Sequence, residues 1–179
     1  MNRLVLVLGV FCAFGASTSL VAQEEKPIQI ALINPVQLFP EDDAIAGIRL
    51  SLIYGRNTLM TGFDLGLVSH TTQDFTGVQF GGVGITDGDF TGWQSTFVNI
   101  VQGDFKGLQD GFINSAGSGH GVQFGGINHS KDFRGFQIAI VNYAQRLDGV
   151  QIGIINIIKE GGAFPVFPIV NWSLDGGGP

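Results

Sequence analysis

GVQIGIIN, Gly149 to Asn156, decides the fold, because its pattern recurs upstream at a spacing of 14 or 15 residues. With Gly149 as position 0, equivalent starts fall at Gly47, Gly62, Gly77, Gly92, Gly107, Gly121 and Gly135, in steps of 15, 15, 15, 15, 14, 14 and 14. Position 2 reads Arg49, Asp64, Gln79, Gln94, Gln109, Gln123, Gln137 and Gln151. Position 4 stays small in nearly every unit, as Ser51, Gly66, Gly81, Thr96, Gly111, Gly125, Ala139 and Gly153. Position 6 is always Val or Ile, and position 7 is asparagine in the last five units: Asn99, Asn114, Asn128, Asn142 and Asn156. Two degenerate units flank the set, PIQIALIN from Pro27 and FPVFPIVN from Phe164, the second keeping Val170 and Asn171. The count is about ten units.

Short runs rich in Val, Ile and Phe, separated by Gly, Asp, Asn and Ser, carry no helical period, so the repeats read as strands and tight turns. The chain is all-β. Because side chains alternate along a strand, an unbroken strand puts positions 1, 3 and 5 on one face and positions 0, 2, 4 and 6 on the other. A bend near position 4 would instead gather positions -2, 1, 3 and 6 inside, with glutamine 2 outside and position 5 as an exposed stripe. Phe97, Phe112, Ile140 and Ile154 of that stripe form a candidate interaction surface.

Two architectures fit a repeat of this length. In a β-solenoid each unit is one coil, and every residue stacks on its equivalent about 4.8 Å away, so Gln79, Gln94, Gln109, Gln123, Gln137 and Gln151 would form one ladder and the five asparagines another. The alternative is an antiparallel β-meander or small β-barrel, whose outer-membrane form would need strands of about 9–11 residues. Uniform turn lengths count against the barrel, as do Ser95 and Asp110 at a position that would face lipid. The solenoid is the favoured reading.

Upstream of the repeats, Met1 to Ala22 carries Arg3, the apolar run LVLVLGVFCAFG and the small-residue stretch ASTSLVA. This is the layout of a secretory signal peptide, and residues 1–22 are read as one, with the mature chain exported. The run is shorter than the about 20 residues a spanning helix needs. The single cysteine, Cys12, lies within this segment behind Phe11, a poor context for lipid attachment. Without it the chain has no thiol for catalysis or metal binding. Residues 23–46 read as an N-terminal cap strand and loop, 47–163 as the β-repeat domain, and 164–179 as a C-terminal cap unit ending in the mobile tail WSLDGGGP. Pro27, Pro165 and Pro168 suit edges, since proline cannot donate to a ladder.

Charge and composition narrow the function classes. Nine Lys and Arg stand against fifteen Asp and Glu, a formal charge of -6 that becomes -7 without Arg3. Nucleic acid, which demands basic patches, is excluded as a partner. Glu41, Asp42 and Asp43 read as a solvated loop. TDGDFTG, with Asp87 and Asp89, matches fragments of calcium loops, but those need several acidic oxygens at set spacing, and a turn rich in Gly and Asp is the plain reading. His70 and His129 both occupy position 8, four units apart and so about 19 Å in a stack, which prevents a shared metal. His120 and Ser130 with Asp132 read as surface turn residues. No catalytic residue, metal ligand or cofactor is assigned.

The units GLQDGFIN, GVQFGGIN, GFQIAIVN and GVQIGIIN, preceded by INPVQLFPEDDAIAGIRLSLIYGRN and followed by FPVFPIVNW, resemble an uncharacterised family of bacterial surface-repeat proteins. The likeness implies export and display at the envelope, with no catalytic residue to carry over. Arg49 and Asp64 depart from it at the glutamine site, and Tyr54, Ser69 and Gly84 at the asparagine site. The expected function is an exported, non-enzymatic repeat protein acting as a structural or binding element of the bacterial cell envelope; a small outer-membrane β-barrel is the alternative. Expected locations are the periplasm, outer membrane or cell surface. An envelope component, a second copy or a membrane are the partners left open.

Overall fold

Glycine at position 0 sets the path of the chain. In a computed structural model, which describes residues 25–174, all eight repeat glycines take positive φ, between 122° and 153°. A Cβ at any of them would also collide with a backbone carbonyl oxygen of the preceding coil, that of Pro27 for Gly47 and of the preceding repeat glycine for the others. Two independent constraints, backbone conformation and close approach, therefore demand glycine here. The predicted signal peptide, 1–22, and the tail residues 175–179 lie outside the described residues.

The strands are β1 (Glu25–Ile33), β2 (Val36–Gln37), β3 (Ala44–Asn57), β4 (Met60–Thr71), β5 (Phe75–Thr86), β6 (Phe90–Glu160) and β7 (Val166–Ser173). Pairing is parallel from β1 to β3, β3 to β4, β4 to β5 and β5 to β6, in repeat register: Gly47 faces Gly62, Gly62 faces Gly77 and Gly77 faces Gly92. The 71-residue run β6 carries the winding through the units that start at Gly92, Gly107, Gly121, Gly135 and Gly149. This is a β-solenoid. Consecutive strands of a meander or barrel would pair antiparallel, so that alternative is overturned.

Within a coil, side chains at -2, 2 and 4 point inward as strand alternation requires. The bend comes one step later than the sequence suggested, at positions 5 and 6, where both side chains face out; Ile154 is 67% and Ile155 43% exposed. That double step shifts the phase, so that positions 7 and 9 are inside. Glutamine 2 is consequently buried rather than outside, and positions 1, 3 and 6 lie outside rather than in the core. An amide can be buried without loss when equivalent amides above and below satisfy it, so the polar residue takes the interior and apolar ones the surface.

Positions -2 and 9 make the apolar core. Ile45, Met60, Phe75, Phe90, Phe105, Phe133 and Leu147 come from the first, and Val101, Ala116, Ala144 and Ile158 from the second. Phe75 and Phe90 stack at 4.6 Å with a 7° interplanar angle. Gly119 stands where its neighbours have bulky side chains, and the Phe133 ring fills the space its side chain would occupy. Each buried phenylalanine contributes about 1.5–3 kcal/mol.

The change from 15 to 14 residues is the loss of one turn residue. Asp74, Asp89 and Asp104 occupy position 12 in the longer units, and their carboxylates serve the turns: Asp74 Oδ1 accepts from Asp89 N at 2.9 Å and Asp89 Oδ1 from Asp104 N at 2.8 Å. In the first regular unit a register shift between Ser51 and Tyr54 makes Tyr54 face Val68 and Gly55 face Ser69. Gly55, not Tyr54, thus stands at the asparagine site.

Both ends are capped, by different means. At the start, β2 turns back antiparallel on β1, and the loop backbone satisfies Gln29: its Nε2 donates to Phe39 O at 2.9 Å and its Oε1 accepts from Phe39 N at 3.0 Å. Glu41 of the acidic loop pairs with Arg56 at 3.1 Å. At the other end β7 runs antiparallel to the last coil, with Asn171 opposite Gln151 and Trp172 opposite Val150. The last unit is therefore a reversed lid and not one more coil, and Trp172 and Ser173, expected in the tail, belong to it. Pro168 falls within the register shift of this edge strand, where a missing donor does no harm.

Candidate interaction surface and the ladders behind it

Two hydrogen-bonded ladders of opposite polarity run through the interior. Gln151 Nε2 donates to Gln137 Oε1 at 2.8 Å, Gln137 to Gln123 at 2.7 Å, Gln123 to Gln109 at 2.7 Å, Gln109 to Gln94 at 2.8 Å and Gln94 to Gln79 at 2.8 Å. Every donor points toward the N-terminal coil. The asparagines donate the other way, Asn99 to Asn114 at 2.7 Å, then on to Asn128 at 2.8 Å, Asn142 at 2.9 Å and Asn156 at 2.8 Å. Opposed amide dipoles offset each other's field while each chain of bonds polarises its own members.

Arg49 and Asp64 terminate the glutamine ladder. Gln79 Nε2 donates to Asp64 Oδ2 at 2.8 Å, and Arg49 meets the same carboxylate from the other side through Nε at 2.9 Å and Nη2 at 2.8 Å. Arginine has only donors, so amides donating toward it need an acceptor sink in between, and the carboxylate supplies it. Both side chains are fully buried. The other ladder ends on the lid, with Asn156 Nδ2 donating to Phe167 O at 3.1 Å.

The asparagines also explain the small residue at position 4. Asn114 Nδ2 reaches Phe124 O at 3.0 Å and Asn142 Nδ2 reaches Ile152 O at 2.9 Å, tying one arm of a coil to the next coil's other arm. A Cβ at Gly125 would collide with Gly111 O and come within 2.8 Å of Asn114 Nδ2, and one at Gly153 would collide with Ala139 O and come within 2.7 Å of Asn142 Nδ2.

With polar groups inside, the outer surface is apolar over much of its extent. Phe97, Phe112, Ile140 and Ile154 are 63%, 49%, 55% and 67% exposed, and Phe97 and Phe112 stack at 5.3 Å. Positions 1 and 3 add two further rows beside them, including Trp93, Phe124, Phe136 and Ile152, all exposed. Their exposure was missed because apolar residues were assigned to the core; the alternation rule contained the signal. Asp110 is the carboxylate in these rows, and it accepts from Trp93 Nε1 at 2.7 Å and Ser95 Oγ at 2.8 Å. Near the lid, Phe124, Ile138 and Ile152 on one side and Ile140 and Ile154 on the other flank an open groove of about 480 Å³ that Ile169 also lines.

Apart from the buried Arg49–Asp64 pair and Asp110, ion pairs line the turn edge. Arg134 pairs with Asp148 at 2.8 Å, and Arg146 with Asp132 and, at 3.9 Å, with Glu160. The Asp132 carboxylate, by hydrogen bond and charge, raises the Arg146 guanidinium above its ordinary pKa. Asp87, one of the two acids of TDGDFTG, is engaged by His70 at 2.9 Å and by Gln102 Nε2 at 2.7 Å.

The remaining polar residues are dispersed along the stack. His70 contacts Tyr54 Oη through Nδ1 at 3.0 Å, whereas His129 stacks on Tyr143 at 5.1 Å. His120 is exposed, but Ser130 is buried, its Oγ donating to Gln123 Oε1 at 3.1 Å, so it is no surface turn residue. Position 9 lies beside the glutamine ladder, and at Ser130 the hydroxyl reinforces it.

Parallel coils, paired amide ladders and an apolar exterior define a β-solenoid repeat protein, a fold that fits a structural or binding element. No family model, curated protein or solved structure matches the chain.

Proposed function

We propose that the chain is an exported, non-enzymatic repeat protein that serves as a structural or binding element of the bacterial cell envelope, in the periplasm, at the outer membrane or on the cell surface. The observation that carries the reading is the inverted distribution of polarity. Glutamine and asparagine are consumed in stacking the coils, and the large apolar rows face outward, where they are free to contact another surface. The signal-peptide layout of residues 1–22 supports export, and the resemblance of the repeats supports a place at the envelope.

The test is to express the full chain in a Gram-negative host, fractionate the cells and determine the N-terminus by mass spectrometry. Export predicts cleavage near Ala22 and recovery with the envelope or medium. Uncleaved chain beginning at Met1 and remaining in the cytosol contradicts it.

A further inference from the structure

Positions 1, 3 and 5 belong to a continuous face that includes both end strands. Ile28 and Ile30 of β1 lie beside Ile48 and Leu50, and Trp172 and Val170 of β7 lie beside Val150 and Ile152. Ten strands at about 4.8 Å spacing and five residues of width give a face of roughly 700 Å². The largest apolar patch on a typical monomer is about 300–600 Å², and a stable interface covers about 800 Å² on each partner.

The order of residues on this face is palindromic. Row 3 reads Ile30, Leu50, Leu65, Phe80, Ser95, then Asp110, Phe124, Ile138, Ile152, Val170: three aliphatics, a phenylalanine and a polar residue, followed by the same sequence reversed. Row 5 reads Leu52, Leu67, Gly82, Phe97, then Phe112, Gly126, Ile140, Ile154. Row 1 repeats the symmetry more loosely, with Phe63 and Val78 answered by Val122 and Phe136. All three rows reverse at one place, between the coils that start at Gly92 and Gly107, with five strands on either side.

We infer that this face binds a second copy of the chain, the two solenoids packing sheet to sheet about a two-fold axis that runs parallel to the strands between the Gly92 and Gly107 coils. The inference rests on the binding-element reading and names its partner. Such an axis reverses strand order but keeps each row over its own row, so every strand meets its counterpart across the centre. Ser95 then lies over the second copy's Asp110, Phe80 over Phe124, and each phenylalanine finds beside it the gap left by Gly126 or Gly82. An isologous interface requires this pairwise match, whereas an unrelated partner or a lipid surface places no demand on the order of residues along the stack. Rows 1, 3 and 5 also contain no lysine or arginine from Gly47 onward, and it is basic residues that anchor an interfacial element on anionic lipid. Asp110 arrives at the centre with two donors already in place, Trp93 Nε1 and Ser95 Oγ, which limits the cost of covering it.

The test is sedimentation equilibrium of the purified protein, bearing the N-terminus it has in the cell, with variants that change one side of the match. The wild type is expected as a dimer at micromolar concentration. Phe80→Arg and Phe124→Glu each place a charge against a phenylalanine of the second copy and weaken the dimer at least about 30-fold, the effect of a hot-spot loss. Phe80→Arg/Phe124→Glu sets Arg against Glu twice across the axis and restores at least tenfold of that. Both side chains face outward, so far-UV circular dichroism of each variant stays at the wild-type value. A folded wild type that remains monomeric at 100 μM overturns the inference, as does a double variant no tighter than its parents. Flotation of monomeric wild type with phosphatidylglycerol vesicles assigns the face to lipid and overturns the dimer, while leaving the envelope reading intact.

Discussion

Asp64→Ala is the sharpest perturbation of the interior. The carboxylate accepts from Arg49 Nε and Nη2, from Ser69 Oγ at 3.2 Å and from Gln79 Nε2, and neither it nor Arg49 has solvent access. Removing it leaves a buried guanidinium without its counter-charge, which costs about 3–5 kcal/mol. It also strands the Gln79 amide donor at the head of the ladder, about 1–3 kcal/mol more. A total of roughly 4–8 kcal/mol is comparable to the whole stability of a typical domain, about 5–15 kcal/mol. At about 2–4 °C per kcal/mol for a chain of this size, the melting temperature should fall by at least about 8 °C.

The rescue is more telling than the loss. Arg49→Gln/Asp64→Gln extends the ladder by two rungs: Gln79 donates to the first new amide, that one to the second, and the second toward Gln29 in the coil before it, whose Oε1 accepts from Phe39 N at 3.0 Å. The double variant removes both buried charges together and leaves amides that satisfy each other, so it should lie within about 1–2 kcal/mol of wild type. The assay is thermal and urea unfolding followed by circular dichroism, at a concentration low enough to keep the protein monomeric. A melting temperature of Asp64→Ala within 3 °C of wild type, or a double variant as unstable as Asp64→Ala, refutes the reasoning.

Gly125→Leu and Gly153→Leu crowd the asparagine ladder and should each cost about 1–3 kcal/mol or more, read as a shift in the urea midpoint; unchanged midpoints would mean that position 4 need not be small. Gly107→Ala combines φ of 134° with a backbone collision, so it should destabilise by at least about 1–3 kcal/mol and part adjacent coils, seen as faster amide exchange at Gly92 and Gly107. Asn128→Ala interrupts the asparagine ladder at its middle rung and leaves Asn114 Nδ2 without its side-chain acceptor; a loss of about 1–3 kcal/mol is expected by chemical denaturation. Ile154→Ser, on the exposed corner, should change monomer stability by no more than about 0.5 kcal/mol, and a larger loss would place that side chain inside.

The sequence made the repeat legible because stacking is a constraint on every coil at once. Glycine recurs at position 0 because a side chain there would strike the coil before it, and glutamine recurs at position 2 because its neighbours need both a donor and an acceptor. What the pattern could not say was which face is the interior. Alternation sorts residues into two sets, and here both sets contain apolar groups, so the habit of placing glutamine outside chose wrongly. Position 9 escaped notice for another reason: Thr71, Val101, Ala116, Ser130 and Ile158 share burial but neither chemistry nor size. The reversal of β7 was invisible because Asn171 keeps the repeat letter while its side chain donates to Phe164 O at 2.8 Å, outside the ladder. The palindrome across the outer face can be read from the residues alone, but only once positions 1, 3 and 5 are known to face out.

Side-chain amide exchange tests the interior ladders most directly. In solution NMR, the Nε2 protons of Gln94, Gln109 and Gln123 should persist for hours after transfer to D₂O, and each should show cross-peaks to the glutamine one coil away, at offsets of 15 and 14 residues. Exchange of these protons within the dead time, or backbone cross-peaks in an antiparallel pattern between neighbouring units, would contradict a parallel solenoid held together from within by its amides.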